Sequence, residues 1–328
     1  MPFPRWTWRL VVGVFILVTG LGWAVFQLWP NGATQNAIIS SIQARPRFEE
    51  RTDAANPFGR LRMLRESAPT LVDLDGDHDL DLVCGSIEGE IRVFLNEGTV
   101  AKAQFAPTAD RFGLDRTDRG NALAFADLDR DGDPDAVNAG LHGQITTFVN
   151  NGLRRGADFV LLDPERDPFR TVDPPPECLA WKPAFGDLDG DGTFDALVGT
   201  AEGALLLWRN RGSSRRPLFS GMPLAMPFGL SVPDALTAPT IGDLDRDGDF
   251  DVLCGTAGGQ MFFAENIGTK LRPKFAAAVP APFGLPNVGR HSTPVMGDLD
   301  GDGDLDVIIG SEEGALRYFE NVASELPR

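Results

Sequence analysis

The 328-residue chain predicts an all-β fold: a five-bladed β-propeller with Ca²⁺-binding loops, closed by an N-terminal strand and preceded by one N-terminal transmembrane helix. Three observations predict it. Five loops of alternating aspartates recur 54 to 60 residues apart, beginning at Asp73, Asp127, Asp187, Asp243 and Asp298. Each loop is followed by the same series of short apolar runs and turns, and a fixed period of this size marks a solenoid, propeller or array. The series is also out of phase with the chain, because the last repeat stops one strand short and a spare strand stands before the first loop.

In the last loop Asp298, Asp300, Asp302 and Asp306 occupy positions 1, 3, 5 and 9, with Gly303 at position 6. The same positions hold Asp73, Asp75, Asp77 and Asp81; Asp127, Asp129, Asp131 and Asp135; Asp187, Asp189, Asp191 and Asp195; and Asp243, Asp245, Asp247 and Asp251. Position 7 is Asp79, Asp133, Thr193, Asp249 or Asp304, expected to offer its backbone carbonyl, with the Asp304 side chain in solvent. Carboxylates this close repel one another unless a cation sits between them. An all-oxygen donor set in a glycine-containing loop suits Ca²⁺, so up to five structural Ca²⁺ ions are expected. An EF-hand needs a bidentate Glu at position 12 and flanking helices. Here position 12 is Cys84, Asn138, Val198, Cys254 or Ile309, inside apolar runs that read as strands. Position 6 calls for a positive φ, which Gly adopts without strain. His78 stands there in the first loop, so that site is expected to bind several-fold more weakly.

The net charge of −17 has its main source in these loops, whose positions 1, 3, 5 and 9 hold twenty aspartates. Such acidity excludes nucleic acid as a partner, since that requires a basic stripe. Three cysteines and three histidines, all scattered, form neither a disulfide framework nor a zinc motif. Cys84 and Cys254 share one register and are expected to face the core.

Residues 1–9 read as a cytoplasmic tail with Arg5 and Arg9, and 10–29 as a signal anchor, since Leu10 to Trp29 carries no charge. A cleaved signal peptide is the alternative. Residues 30–46 form a linker, and 47–328 the propeller. Within each repeat a Pro-containing lead-in such as Pro294-Val-Met-Gly297 is the first strand, running into the Asp loop. A run such as Asp306-Val-Ile-Ile-Gly310 is the second, and Glu90-Ile-Arg-Val-Phe-Leu-Asn96 typifies the third. Asn-x-Gly turns after Asn96, Asn150, Asn210 and Asn266 are expected to close hairpins through positive φ. The fourth strand starts at Phe105, Phe159, Phe219 or Phe275, and Phe48 opens the matching segment that can complete the last blade. Closure of this kind removes open edges.

The Asp loops, the Phe-Gly segments (Phe283-Gly284 among them) and the Asn-x-Gly turns resemble FG-GAP/VCBS repeats, similar to the integrin α-subunit propeller. The resemblance covers residues 47–328. It implies structural Ca²⁺ in the loop between first and second strands and ligand binding on the opposite face. Five repeats rather than the seven of integrins, and His78 in place of Gly, are departures; a specific integrin role does not carry over.

On that opposite face Arg65, Arg119 and Arg290 each stand eight residues before the first Asp of their repeats, with His291 beside them. Trp181, Lys182, His142, Glu88 and Glu313 fall on or near the same face. Arginines there suit an acidic protein segment or an anionic glycan through bidentate contacts, or they bond carbonyls of the neighbouring blade. The expected function is a calcium-binding, membrane-anchored, periplasmic or extracellular recognition, adhesion or scaffold domain for protein or glycan. The alternative is a polysaccharide-active lyase or glycosidase on the same fold, which would need paired carboxylates in a cleft. Tyr318, the single tyrosine, weakens a tyrosine-based lyase.

Overall fold

Each Asp loop joins two antiparallel strands, and each pair extends by two more into a four-stranded sheet. The computed structural model describes residues 45–323, apart from 53–55, 60, 62, 64, 115–121, 141–143, 153–155 and 173–181. The predicted tail, membrane span and nearly all of the linker therefore lie outside the described residues. Among the described residues no helix is long and apolar enough to cross a membrane.

Blade 1 contains β2 (Ala68–Val72), β3 (Asp81–Gly85), β4 (Ile91–Asn96) and β5 (Phe105–Thr108). Blade 2 contains β6 (Ala122–Ala126), β7 (Asp135–Ala139), β8 (Ile145–Asn150) and β9 (Phe159–Leu161). Blade 3 contains β10 (Lys182–Gly186), β11 (Asp195–Gly199), β12 (Leu205–Trp208) and β13 (Leu224–Ala225). Blade 4 contains β14 (Ala238–Gly242), β15 (Asp251–Gly255), β16 (Met261–Ala264) and β17 (Val279–Pro280). Blade 5 contains β18 (Thr293–Gly297), β19 (Asp306–Gly310) and β20 (Leu316–Asn321), and its outer strand is β1 (Phe48–Arg51). The first strands neighbour one another around a ring, β18 next to β2. These strands are sheet edges, which is where the prolines Pro69, Pro183, Pro239 and Pro294 can stand without a missing ladder bond.

The core is five separate clusters, one at each blade–blade interface. Period-2 alternation directs successive residues of a second strand to opposite interfaces. Val252 and Cys254 pack with Leu197 and Leu207 of blade 3, whereas Leu253 packs with Val307 and Ile309 of blade 5. The fifth cluster joins Ile308 and Tyr318 of blade 5 to Leu82 and Phe94 of blade 1, with Phe58 inserted between them. Buried hydroxyls add polar links between blades: Thr237 Oγ1 accepts from Thr200 N–H (3.0 Å), and Ser292 Oγ accepts from Thr256 N–H (2.8 Å).

The N-terminal strand closes the ring as expected, and its register is that of the other outer strands. Phe48 pairs with Asn321 as Phe105 pairs with Asn96 and Phe159 with Asn150. Glu50 receives two bonds from Arg317 at 2.7 and 2.6 Å, and Arg51 Nε donates to Glu320 at 2.7 Å. Such partly exposed pairs add little stability, but they favour one register.

Two details differ from the sequence reading. Phe219 and Phe275 make only single bridges, to Asn210 and Asn266, and the outer strands of blades 3 and 4 begin later, at Leu224 and Val279. Nor do the Asn-x-Gly segments turn through positive φ. Gly98, Gly152, Gly212 and Gly268 are absent from the positive-φ residues, and a Cβ on Gly98 would overlap the Lys102 carbonyl. The asparagine contributes through its side chain. Asn96 Oδ1 accepts from Gly98 N–H (3.1 Å) and Gln104 N–H (2.8 Å), and Asn150, Asn210 and Asn266 repeat the pattern. In blade 5 the second donor is Arg47 N–H, at 3.1 Å from Asn321 Oδ1, so the chain start completes a clamp that the other blades close locally.

A chain beginning at Ser67 lacks β1, Arg47 and Phe58 and exposes the edge of β20. It should melt at lower temperature and self-associate in light scattering; a monomer with an unchanged melting curve would contradict this closure.

Candidate metal centres

The nine-residue loop is held by its own carboxylates. The N–H at position 6 donates to Oδ2 of position 1 in all five copies, from His78, Gly132, Gly192, Gly248 and Gly303, at 3.0 to 3.2 Å. Position 7 donates its N–H to Oδ1 of position 5 in every loop, at 2.8 to 3.1 Å. These bonds wrap the backbone around the acidic side chains. Position 9 is different, being buried at the start of the second strand. Its Oδ1 accepts the N–H of the clamp asparagine in each blade, as Asp81 does from Asn96 at 2.7 Å and Asp306 from Asn321 at 2.8 Å. In loops 1, 2, 4 and 5 its Oδ2 also accepts the N–H of the leucine at position 2.

The backbone is left-handed at position 6, as the sequence predicts, including φ 75° at His78. The sequence reading missed position 4, where φ is positive in all five loops: Gly76, Arg130, Gly190, Arg246 and Gly301. Arginine is tolerated there because it bridges loops. Arg130 donates to the Gly192 carbonyl, and Arg246 approaches Asp304 at 4.0 Å. The Asp-x-Asp-Arg pattern was the available signal.

In each loop three carboxylates bring one oxygen apiece to within 4.8 Å of the others. The sets are Asp73, Asp75 and Asp81; Asp127, Asp129 and Asp131; Asp187, Asp189 and Asp191; Asp243, Asp245 and Asp251; and Asp298, Asp300 and Asp302. Position 7 is a correction. Asp304, placed in solvent by the sequence reading, is 3% exposed, and Asp79 and Asp249 are also buried. At Asp304 the Arg246 guanidinium of the neighbouring blade approaches to 4.0 Å. Asp133 and Thr193 are half-buried, and the Thr193 hydroxyl donates to Asp191 at 2.7 Å.

Crowding and burial act on the charge together. Burial, only partly offset by the asparagine N–H bond, pushes Asp81 up to about 6, Asp135, Asp195 and Asp306 to about 7, and Asp251 to about 8. Burial and then repulsion from Asp247 raise Asp245 to about 6 and Asp249 to about 7. In loops 2 and 4 a hard divalent cation would meet oxygens alone, and Asp129 and Asp243 each keep a buried Oδ1 that accepts no hydrogen bond. The donor set fits Ca²⁺.

The opposite ends of the strands carry the arginines. Arg65 and Arg290 are mostly exposed, and both reach the Glu312 carboxylate at 3.3 Å instead of neighbouring carbonyls. His291 Nδ1 lies 3.6 Å from Glu66. Burial lowers the Lys182 ammonium to about 8, against the pull of Glu66. Glu312 sits in the turn between β19 and β20, so the cluster lies at the end of the blades away from the Asp loops. Arg119, His142 and Trp181 lie outside the described residues. Tyr318 is buried, its hydroxyl donating to Asp306 Oδ2 at 2.9 Å, and Cys84 and Cys254 are buried.

The FG-GAP-like repeat matches residues 73–138 and 187–254, each stretch running from one Asp loop through the next. No curated protein matches the chain. Among solved structures, the Tc holotoxin pore of Photorhabdus luminescens is 20% identical over 84% of this chain and 12% of that one, with a TM-score of 0.37. AofleA from Arthrobotrys oligospora is 13% identical over 78% of this chain and 69% of its own, with a TM-score of 0.41. BBS1N, solved in complex with ARL6DN, is 13% identical over 87% and 98%, with a TM-score of 0.40.

Two outcomes are expected. The position-9 carboxyls hold protons more tightly folded than unfolded, so the folded chain binds more protons between about pH 4 and pH 8. In excess chelator the melting temperature should therefore fall as pH rises through that window; a rise would contradict the burial argument. The His78 side chain is 93% exposed, and its Nδ1 lies 3.7 Å from Asp73, too far for a hydrogen bond that would offset the strain. His78→Gly should raise stability by about 1 kcal/mol in denaturant unfolding.

Proposed function

We propose that this chain is a calcium-stabilised propeller that acts as a recognition or scaffold domain for protein or glycan. It is held outside a membrane by residues 10–29, with the N-terminus cytoplasmic. The observation that carries the calcium reading is the recurrence, in every blade, of three converging carboxylate oxygens drawn from loop positions 1 and 3 together with 5 or 9. Repulsion within those clusters opposes folding, and a divalent cation removes it, so metal binding becomes part of the folding free energy. The carboxylates are spent on the ion and on backbone N–H groups, which gives the metal a structural role.

Recognition is assigned to the other end of the blades, where two exposed guanidiniums share one carboxylate. Arg65 and Arg290 together carry one more positive charge than Glu312 neutralises, and they suit an acidic peptide segment or an anionic sugar. Adhesion is one use of such a surface.

The full chain should lose well over ten degrees of melting temperature in excess chelator and recover it when Ca²⁺ is restored. An unchanged curve would refute the calcium reading. In the presence of Ca²⁺, Arg65→Ala with Arg290→Ala should abolish capture of anionic glycans or acidic peptides on an array while leaving the melting curve in place.

A further inference from the structure

The five loops are not equivalent in charge, and part of the difference lies outside them. The residue just before each clamp asparagine acts on the position-3 aspartate in blades 3, 4 and 5. In chain order it is Leu95, Val149, Arg209, Glu265 and Glu320. In blade 3 the Arg209 guanidinium lies 3.2 Å from Asp189 and is steadied over the Phe228 ring, 5.3 Å from its centroid. In blades 4 and 5 the glutamates have the opposite effect, adding repulsion to Asp245 and Asp300. Glu320 is neutralised by Arg51, whereas Glu265 makes no ion pair among the described residues.

A second cation reaches the same loop from the next blade. The turn at Thr269–Arg272 closes with two backbone bonds and seats on Gly190, where a Cβ would collide with the Lys270 carbonyl. This places Lys270 Nζ 3.8 Å from Asp187 Oδ2. On loop 5 the corresponding residue of the blade-1 turn is Val100, which packs against Gly301 and brings no charge. Among the described residues, no other loop has a lysine or arginine within 4.0 Å of its position-1 or position-3 carboxylates. Loop 3 departs in two further ways. It has Thr193 at position 7, and the Leu188 N–H donates to the Gly186 carbonyl, which leaves Asp195 Oδ2 buried without a donor. Asp187 Oδ1 also accepts no hydrogen bond, and Lys270 at its other oxygen supplies the compensating charge.

We propose that Arg209 and Lys270 take the place of a divalent cation in loop 3, so that the propeller binds calcium at four loops and holds the fifth by internal ion pairs. The residue before the clamp asparagine is thus a determinant of which loops take metal. This rests on the calcium reading above. One guanidinium and one ammonium near three carboxylates supply the neutralisation that a Ca²⁺ ion supplies elsewhere, and a further dication would meet their repulsion.

Equilibrium dialysis of the full chain against Ca²⁺, with the bound metal counted, tests it. The wild type should bind four. Arg209→Leu with Lys270→Ala should bind five, the leucine being the residue blade 1 carries at that register. In chelator the same double variant should melt several degrees below the wild type, with Ca²⁺ closing the gap. Five ions on the wild type, or four on both chains, would overturn the inference and leave the calcium reading intact; none on the wild type would overturn both. Should the double variant fail to fold, Glu265→Arg decides: it should weaken one of the four sites at least ten-fold, and four undiminished sites would overturn the role given to this register.

Discussion

The structure depends on a buried carboxylate. At the end of each Asp loop one aspartate leaves solvent and joins the second strand it begins to the third strand through the clamp asparagine's N–H, and in four of the five it also bonds the loop's own backbone. The asparagine side chain then fastens the hairpin leading to the outer strand. One Asp–Asn pair therefore sets the registers of a whole blade, and its burial is what raises the aspartate's pKa. The same placement forces the remaining acids of the loop into a small volume. Burial and mutual repulsion raise the pKa of several of them, Asp245 and Asp249 among them.

Closure follows from the way the blades are stabilised. Each blade buries its apolar residues against two neighbours, so a ring of five has five cores and no blade is stable alone. The interface between blades 5 and 1 is the one the chain cannot build by simple continuation. Blade 5 is completed by β1, which brings the Arg47 N–H and Phe48, packed at the blade 4–blade 5 interface, into positions that the other blades fill from within. Phe58, stacked on Phe105 at 4.7 Å and edge-on to Tyr318, seals the seam.

Adjacent blades also reach into one another's loops. Arg130 and Arg246 act from position 4, while hairpins such as that bearing Lys270 act from above. The result is one motif in five electrostatic settings. Repeats of similar sequence therefore sit in different charge surroundings, set in part by side chains of the next blade.

The sequence by itself determined the repeat, the number of blades, the closing strand and the positive φ at position 6, because each of these is local or follows from counting. His78 was visible as an exception for the same reason. Alternating carboxylates at fixed spacing likewise made the candidate metal centres legible residue by residue. What only the tertiary structure decided depends on contact between blades. Asp304 is buried instead of solvated, with Arg246 of the neighbouring blade approaching it. Gly98 and its equivalents serve close approach to a carbonyl, which no dihedral preference reveals. Arg65 and Arg290 converge on Glu312, and Arg209 and Lys270 on loop 3, across sequence separations that no local pattern encodes. A charge is read from the chain, but whether it is met by solvent, a metal or a side chain is set by packing.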